Sequence, residues 1–225
     1  TLSLLQGTIE VKGQPADVIV ANPNGIVCDG CGFINTHHGI LTTGRPIIEN
    51  EKLTGLSITQ GNIEIKKGGM SYRSTSIDLG SVALIAMHVK IDGKIRGRYQ
   101  EQDTAIKNIR VISGSNIVQV GQDAHKNTIS DFKNNSQQAS PDFTETIDVG
   151  ALGGMYAQRI YLINTHSGIG VNSNAEIIPT EALVIDTVGN LVLKAPITSA
   201  GHIEIKKAHT VINHHKLEAQ GNIFV

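Results

Sequence analysis

A short template is written into this chain five times, and it constrains the fold more than anything else in the sequence. The copies are GTIEVK at 7–12, GNIEIKK at 61–67, GNLVLK at 189–194, GHIEIKK at 201–207 and GNIFV at 221–225. Each reads glycine, polar, apolar, variable, apolar, then usually lysine. The alternation puts Ile63 and Ile65 on one face of a strand and Glu64 on the other. A glycine opens each copy, as expected where a corner needs an unusual φ or a close backbone approach. The last three copies begin 12 and then 20 residues apart, which suits a coil of two or three short strands per turn. An antiparallel sandwich is the competing architecture, since Asp92-Gly93 within KIDGKI makes a good hairpin turn. Repeated templates are not expected of a sandwich, so the expectation is an all-β solenoid with Ile9, Ile63, Ile65, Leu191, Leu193, Ile203, Ile205 and Ile223 facing inward.

Composition agrees. There are 24 glycines, 6 prolines and no tryptophan in 225 residues, a profile of short strands and tight turns rather than of a helical bundle. Nineteen Lys and Arg against 20 Asp and Glu leave the chain near neutral, so no global field argues for nucleic acid or an anionic membrane. The longest apolar region, Val82 to Val89, is interrupted by His88 and is far shorter than a membrane span. Thr1 opens no basic, then apolar leader, so an export signal is expected to have been removed or to lie upstream.

Along the chain, strands are expected at Gly7–Lys12, Asp17–Ala21, Gly32–Asn35, Gly39–Thr42 and Leu56–Thr59. A second group spans Ser76 to Arg98, in which Ser81 to Val89 reads as a strand or two buried on both faces. Lys107 to Val120 reads as a strand pair. From Gln122 to Glu145 the chain turns polar and loses its period, and is expected to leave the helix and to be partly disordered. Regular coils resume after Glu181 and run to Val225 without a cap, which suggests a fragment of a longer repeat protein.

The densest run of special-purpose residues is Asn22-Pro23-Asn24-Gly25-Ile26, followed by Cys28-Asp29-Gly30-Cys31 and Gly32-Phe33-Ile34-Asn35-Thr36. Asn-Pro-Asn-Gly fits a type I turn: the first Asn can bond back to the backbone, Pro presets φ and Gly closes. Together with Leu41-Thr42-Thr43-Gly44, and with Ile147-Asp148-Val149 through Ala151-Leu152-Gly153-Gly154-Met155-Tyr156-Ala157 downstream, this stretch resembles the secretion domain of two-partner-secretion exoproteins, the filamentous-haemagglutinin-like proteins. The second segment is most similar to the branch that carries contact-dependent growth-inhibition toxins. The two segments anchor roughly residues 5 to 175. Members normally have an N-terminal cap and a further Asn-Pro-Asn turn before this point, which this sequence lacks.

The resemblance implies a right-handed parallel β-helix, with a two-partner-secretion domain over 1–180 and the start of the following repeats over 181–225. It implies export through the periplasm and outer membrane to the cell surface or medium. The implied partner is an outer-membrane transporter whose periplasmic domains read Asn22, Pro23, Asn24, Gly25 and Ile26. A target-cell receptor would engage other parts of the full protein, for toxin delivery or adhesion. No cofactor, metal or nucleic acid is implied.

Each chemical candidate has a plainer reading beside it. Cys28 and Cys31 suit a structural disulfide in an exported protein; burial as thiols, a metal or a redox pair are the alternatives, though a zinc site lacks further ligands and a redox pair lacks a helix. Asn22, Asn24 and Asn35 can be turn formers that bond neighbouring coils as well as a recognition signal. His37-His38 and His214-His215 read as solvated loop residues. Asp29, Glu49, Glu51, Asp78, Asp148 and Glu176 are scattered, but acids one coil apart can meet in space. A carbohydrate-active β-helix, a lyase or hydrolase, is therefore the second function class, while the first expects no enzyme activity.

Overall fold

A computed structural model of the chain describes residues 1–74, 76, 80–123, 128–135, 146–151 and 153–225. Among these there is no α-helix. Three strands make one turn, and the turns stack in register as a three-sided parallel β-helix. The first face holds eight strands: Ser3–Leu5, Ile26–Cys28, Asn62–Ile65, His88–Ile91, Ile147–Val149, Ile169–Ser173, Asn190–Leu193 and Val211–Asn213. The second face runs from Thr8–Glu10 and Cys31–Ile34 through Met70–Arg73 and Lys94–Tyr99 onward. The third runs from Ala16–Ala21 and Thr36–Thr42 through Ser81–Ala86 and Ile106–Ser113. The expected parallel β-helix is what the chain forms.

The core is built from ladders of like residues. On the first face Ile26, Ile63, Val89, Ile147, Val171 and Leu191 stack one above another, and all are buried. Fully burying one such side chain is worth about 1.5–3 kcal/mol, so each added coil is stabilised mainly by its neighbour. Of the residues expected inward, Ile63, Ile65, Leu191, Leu193, Ile203 and Ile205 are buried, and Ile9 packs partly buried on the same core. Ile223 is 42% exposed, because it stacks on Ile203 in the last coil and has no coil above it.

The template copies do not share one face. The copy at 61–67 gives a first-face strand, the one at 7–12 a second-face strand and the one at 201–207 a third-face strand. The template is thus a local recipe for entering a strand from a corner. Its Glu and Lys, two apart and both outward, pair in place: Glu64 with Lys66 at 3.7 Å and Glu204 with Lys206 at 3.0 Å. The 12-residue spacing crosses from first to third face within a coil. The 20-residue spacing is a full coil, as in Leu191 on Val211 and Ile203 on Ile223. Asp92-Gly93 is such a corner between parallel faces rather than a hairpin turn: Gly93 sits so close to the previous coil that a Cβ would lie 2.0 Å from the Lys66 carbonyl oxygen.

The largest departure from expectation lies outside the helix. Arg45–Glu49 and Lys52–Ile58 form a hairpin that leaves the second coil, turning through Asn50 and Glu51 with φ of 49° and 62°. Asn116–Asp123 and Thr128–Asn135 form another that leaves the fourth. The two hairpins join as one four-stranded antiparallel sheet that covers the third face. Leu56, Ile58, Val118, Val120, Ile129 and Phe132 pack on Ile40, Ala83, Ile85 and Ile112. Ser81–Ala86 is therefore buried on both sides, as expected, and every residue of it is buried. The polar stretch from Gln122 does leave the helix, but Gln122–Asp123 and 128–135 are paired strand. The rest of it, 124–127 and 136–145, lies outside the described residues.

Candidate functional site

The Asn22 corner is where the third face of the first coil hands the chain to the first face of the second. The apolar strand Ala16–Ala21 delivers it. Asn22 N–H donates to the Thr42 carbonyl at 2.9 Å, and Gly25 N–H closes the turn on the Asn22 carbonyl at 3.0 Å, the type I pattern expected. The Asn22 amide works in two directions. Its Oδ1 accepts from Asn24 N–H at 3.0 Å, while its Nδ2 donates to the Thr1 carbonyl at 3.0 Å and to Ser3 Oγ at 2.8 Å. One side chain therefore shapes its own turn and ties down the coil before it.

The corner is also clamped from the coil after it. Gln60 Nε2 donates to the Pro23 carbonyl at 3.2 Å. Gly25 has φ of +114°, and a Cβ there would stand 3.0 Å from the Asn62 carbonyl oxygen and from Leu2; only glycine satisfies both the dihedral and the space. Ile26 then enters the core fully buried between Ser3 and Ile63. Pro23 is half-buried, and Asn24 is exposed with no side-chain hydrogen bond among the described residues. The five residues thus divide into an inward part that builds the corner and an outward part, led by Asn24, that faces solvent.

Cys28 and Cys31 are joined by a disulfide with Cα atoms 5.2 Å apart. It spans the corner from first to second face, with both sulfur-bearing residues buried and Gly30 at φ +79° between them. The corner bends the chain onto the next face and is not a reversal. Asn35, at φ 56°, donates from Nδ2 to the carbonyls of Val11 and Gly13 at 2.8 and 2.9 Å. Asn22 and Asn35 each bond the preceding coil, but they occupy different corners and form no stacked amide ladder.

His37 and His38 lie in the strand Thr36–Thr42 rather than in a turn. His37 is exposed, and His38 Nδ1 pairs with Asp17 at 2.8 Å. The buried Asn164 and His166 carry no feature that marks them in sequence beyond a polar residue ending the run RIYLIN. Asn164 Oδ1 accepts from Thr146, Ser113 and the His166 N–H, and its Nδ2 donates to Thr187 Oγ1 and the His166 carbonyl. His166 Nε2 in turn accepts from Ser115 N–H at 2.9 Å. This network joins the third-face ends of three coils.

A catalytic groove would need acids grouped on one face. Glu64, Lys90, Asp148 and Asn172 do stack on the first face, but their charges alternate. Asn172 Nδ2 donates to Asp148 at 2.8 Å. The hydrogen bond and charge of Asp92, with Glu64 and Asp148 adding, push the Lys90 pKa up. This is a cross-strand ladder that stabilises stacked coils. Among the described residues no three His, Cys, Asp or Glu side chains group as metal ligands.

The family description "TPS secretion domain" matches residues 1–205. The chain belongs to the TPS secretion domain family. It is 38% identical over 194 residues to the "tRNA nuclease CdiA" of Escherichia coli O6:K15:H31 (strain 536 / UPEC), covering 85% of this chain and 5% of that protein. It is 35% identical over 224 residues to the "16S rRNA endonuclease CdiA" of Enterobacter cloacae, covering 99% of this chain and 6% of that protein. The crystal structure of the filamentous hemagglutinin secretion domain superposes with a TM-score of 0.70 at 26% identity, covering 100% of this chain and 72% of that one. The chain therefore spans about one-twentieth of the CdiA relatives, and the matched part is their secretion domain. Domains of this family belong to exoproteins secreted through the outer membrane. Nothing in these comparisons supports the carbohydrate-active reading.

Proposed function

We propose that this chain is the secretion module of a large filamentous exoprotein, carrying no catalytic activity of its own. The periplasmic domains of a two-partner outer-membrane transporter recognise it, and it then nucleates β-helix folding at the cell surface. The full protein delivers a toxin in contact-dependent growth inhibition and engages its receptor through other regions; the CdiA relatives support this branch over simple adhesion. No nucleic acid takes part in the module's own role.

The observation that carries this reading is the division of labour at Asn22–Ile26. The inward half locks the first two coils together, while the Asn24 side chain stands outside with no hydrogen bond among the described residues. A solenoid pays its ordering entropy before stacking returns it, and no nucleotide drives export across the outer membrane. A corner that fixes the first coils therefore suits a module whose folding pulls the chain outward. The domain proper is assigned to 1–180 and the following repeats to 181–225. Support comes from the register: from Val171 onward each residue stacks on one 20 positions later, as in Val171 on Leu191 and Leu183 on Ile203, whereas earlier coils are irregular.

The test is secretion of the full-length exoprotein with the Asn22-Pro23-Asn24-Gly25 turn replaced by Ala-Ala-Ala-Gly. The replaced protein should accumulate in the periplasm. Wild-type levels in the medium would reduce the turn to a structural corner.

A further inference from the structure

Asn24-Gly25 is the one place in the 225 residues where asparagine precedes glycine. The backbone nitrogen after an asparagine can attack its side-chain amide, and a glycine there has no side chain to obstruct the approach. Asn22 is immune, because Pro23 has no N–H to attack with. The asparagines of the repeated template, Asn62, Asn190 and Asn222, precede Ile, Leu and Ile, whose bulk crowds the nitrogen. The turn thus holds one immune and one susceptible asparagine two residues apart.

The folded corner withholds what this reaction needs. Gly25 N–H is held by the Asn22 carbonyl at 3.0 Å, and an amide must lose that proton to attack. The attack also needs rotation about the Asn24 Cα–C bond, which the closed turn fixes. Gly25 is buried, although the Asn24 side chain is exposed. Before the coils form, none of these restraints exists.

We propose that Asn24 is a modification site gated by folding: in the unfolded chain it converts to isoaspartate, and the folded corner prevents the conversion. The Gly25 nitrogen gives up its proton to solvent and bonds to Asn24 Cγ. The Cγ–Nδ2 bond breaks, and Nδ2 takes up a proton and leaves as ammonia. Water then opens the succinimide at either carbonyl, giving aspartate or, with the backbone rerouted through Cβ, isoaspartate. The net change is loss of ammonia and gain of water. Aspartate keeps the backbone length and faces solvent. Isoaspartate adds one backbone carbon between Asn24 and Gly25, where there is no slack. Even a Cβ on Gly25 would stand 3.0 Å from the Asn62 carbonyl oxygen and from Leu2, and Ile26 must arrive in register between Ser3 and Ile63. A chain that waits unfolded therefore loses the corner that starts its second coil. For export this sets a time limit between synthesis and folding outside the cell, a consequence that rests on the reading above.

The purified chain tests this without a transporter. It is aged at pH 8 either folded or in guanidinium chloride, and peptide mass spectrometry with isoaspartate-specific methylation follows position 24. Isoaspartate there should form at least about tenfold faster in the denatured chain, and before any other asparagine converts. On dilution the fraction that refolds, by circular dichroism, should fall as isoaspartate rises. Asn24→Gln aged in the same way should refold like fresh wild type, because the longer amide cyclises far more slowly. Freshly made Asn24→Asp should also refold as wild type, which separates the rerouted backbone from the added charge. Equal rates in folded and denatured chain, earlier conversion elsewhere, or complete refolding of chains that carry the isoaspartate overturns the proposal. So does equal ageing loss in Asn24→Gln, or failure of Asn24→Asp to fold. All of these leave the transporter reading intact, whereas wild-type export of the turn replacement overturns that reading and leaves this chemistry standing.

Discussion

Asp17 and Ile129 are joined across 112 residues of sequence: the Ile129 amide donates to Asp17 Oδ2 at 2.6 Å, while Asp17 Oδ1 pairs with His38 Nδ1 at 2.8 Å. One carboxylate of the first coil thereby pins the second coil and the outlying antiparallel sheet together. Burial disfavours its charge, but the His38 hydrogen bond, the Ile129 amide and the charges of His38 and His37 outweigh it and hold the pKa below its ordinary 3.8.

A carboxyl depressed on folding stabilises fully above its unfolded pKa, and that stability is lost as pH falls through the lower folded value. Asp17→Asn should cost about 1.5–3 kcal/mol at pH 7, the usual worth of a hydrogen bond to a charged group. The gap to wild type should shrink below pH 4. Urea unfolding at pH 7 and pH 3 measures it; an equal gap at both would contradict the assignment.

Asn22 and Asn24 should separate. Asn22→Ala removes bonds to Thr1, Ser3 and the Asn24 amide and should cost about 1–2 kcal/mol. Asn24→Ala removes none among the described residues and should stay within about 0.5 kcal/mol. Both should lower export of the full-length protein. Export of the Asn24→Ala protein at wild-type rate would confine the signal to the buried half of the turn.

The Cys28–Cys31 bridge should be intact in protein recovered from the medium, seen as no alkylation under non-reducing mass spectrometry. Only two residues separate the cysteines, so the entropic gain is roughly 2 kcal/mol at most. Cys28→Ala/Cys31→Ala should lower Tm and keep the β-helix. Loss of the far-UV β signal would show that the bridge is needed to fold.

Phe132 is 8% exposed, sealing the antiparallel sheet onto Ile40, Ile85 and Ile112, and Arg110 lies between its ring at 5.5 Å and that of Tyr161 at 4.7 Å. Phe132→Ala should cost about 3 kcal/mol. Hydrogen exchange should rise in Ser81–Ala86 and stay unchanged in His202–Lys206, which the sheet does not reach.

Much of this was readable in order along the chain. Alternation of Ile63, Glu64 and Ile65 is a property of one strand, and the asparagine turn is a property of four consecutive residues; both follow from local backbone geometry, so sequence alone determined them, while the repeated template pointed to a solenoid and the family resemblance to its parallel β-helix. The faces were not readable, because the face a copy of the template occupies depends on the length of every corner before it. Nor was the covering sheet. Its hairpin at 45–58 and its paired strands Asn116–Asp123 and Thr128–Asn135 meet only because coils of particular lengths bring Leu56 beside Val118. Their apolar positions look like any others until Ile40 and Ile85 need cover. Likewise the turn announced itself, but that Asn22 grips Thr1 and Ser3, while the Asn24 side chain makes no hydrogen bond among the described residues, was decided by the length of the first coil, which stacks Ile26 on Ser3 and so brings Asn22 back beside them. Local pattern specified the strands; the summed lengths between them decided which side chains meet.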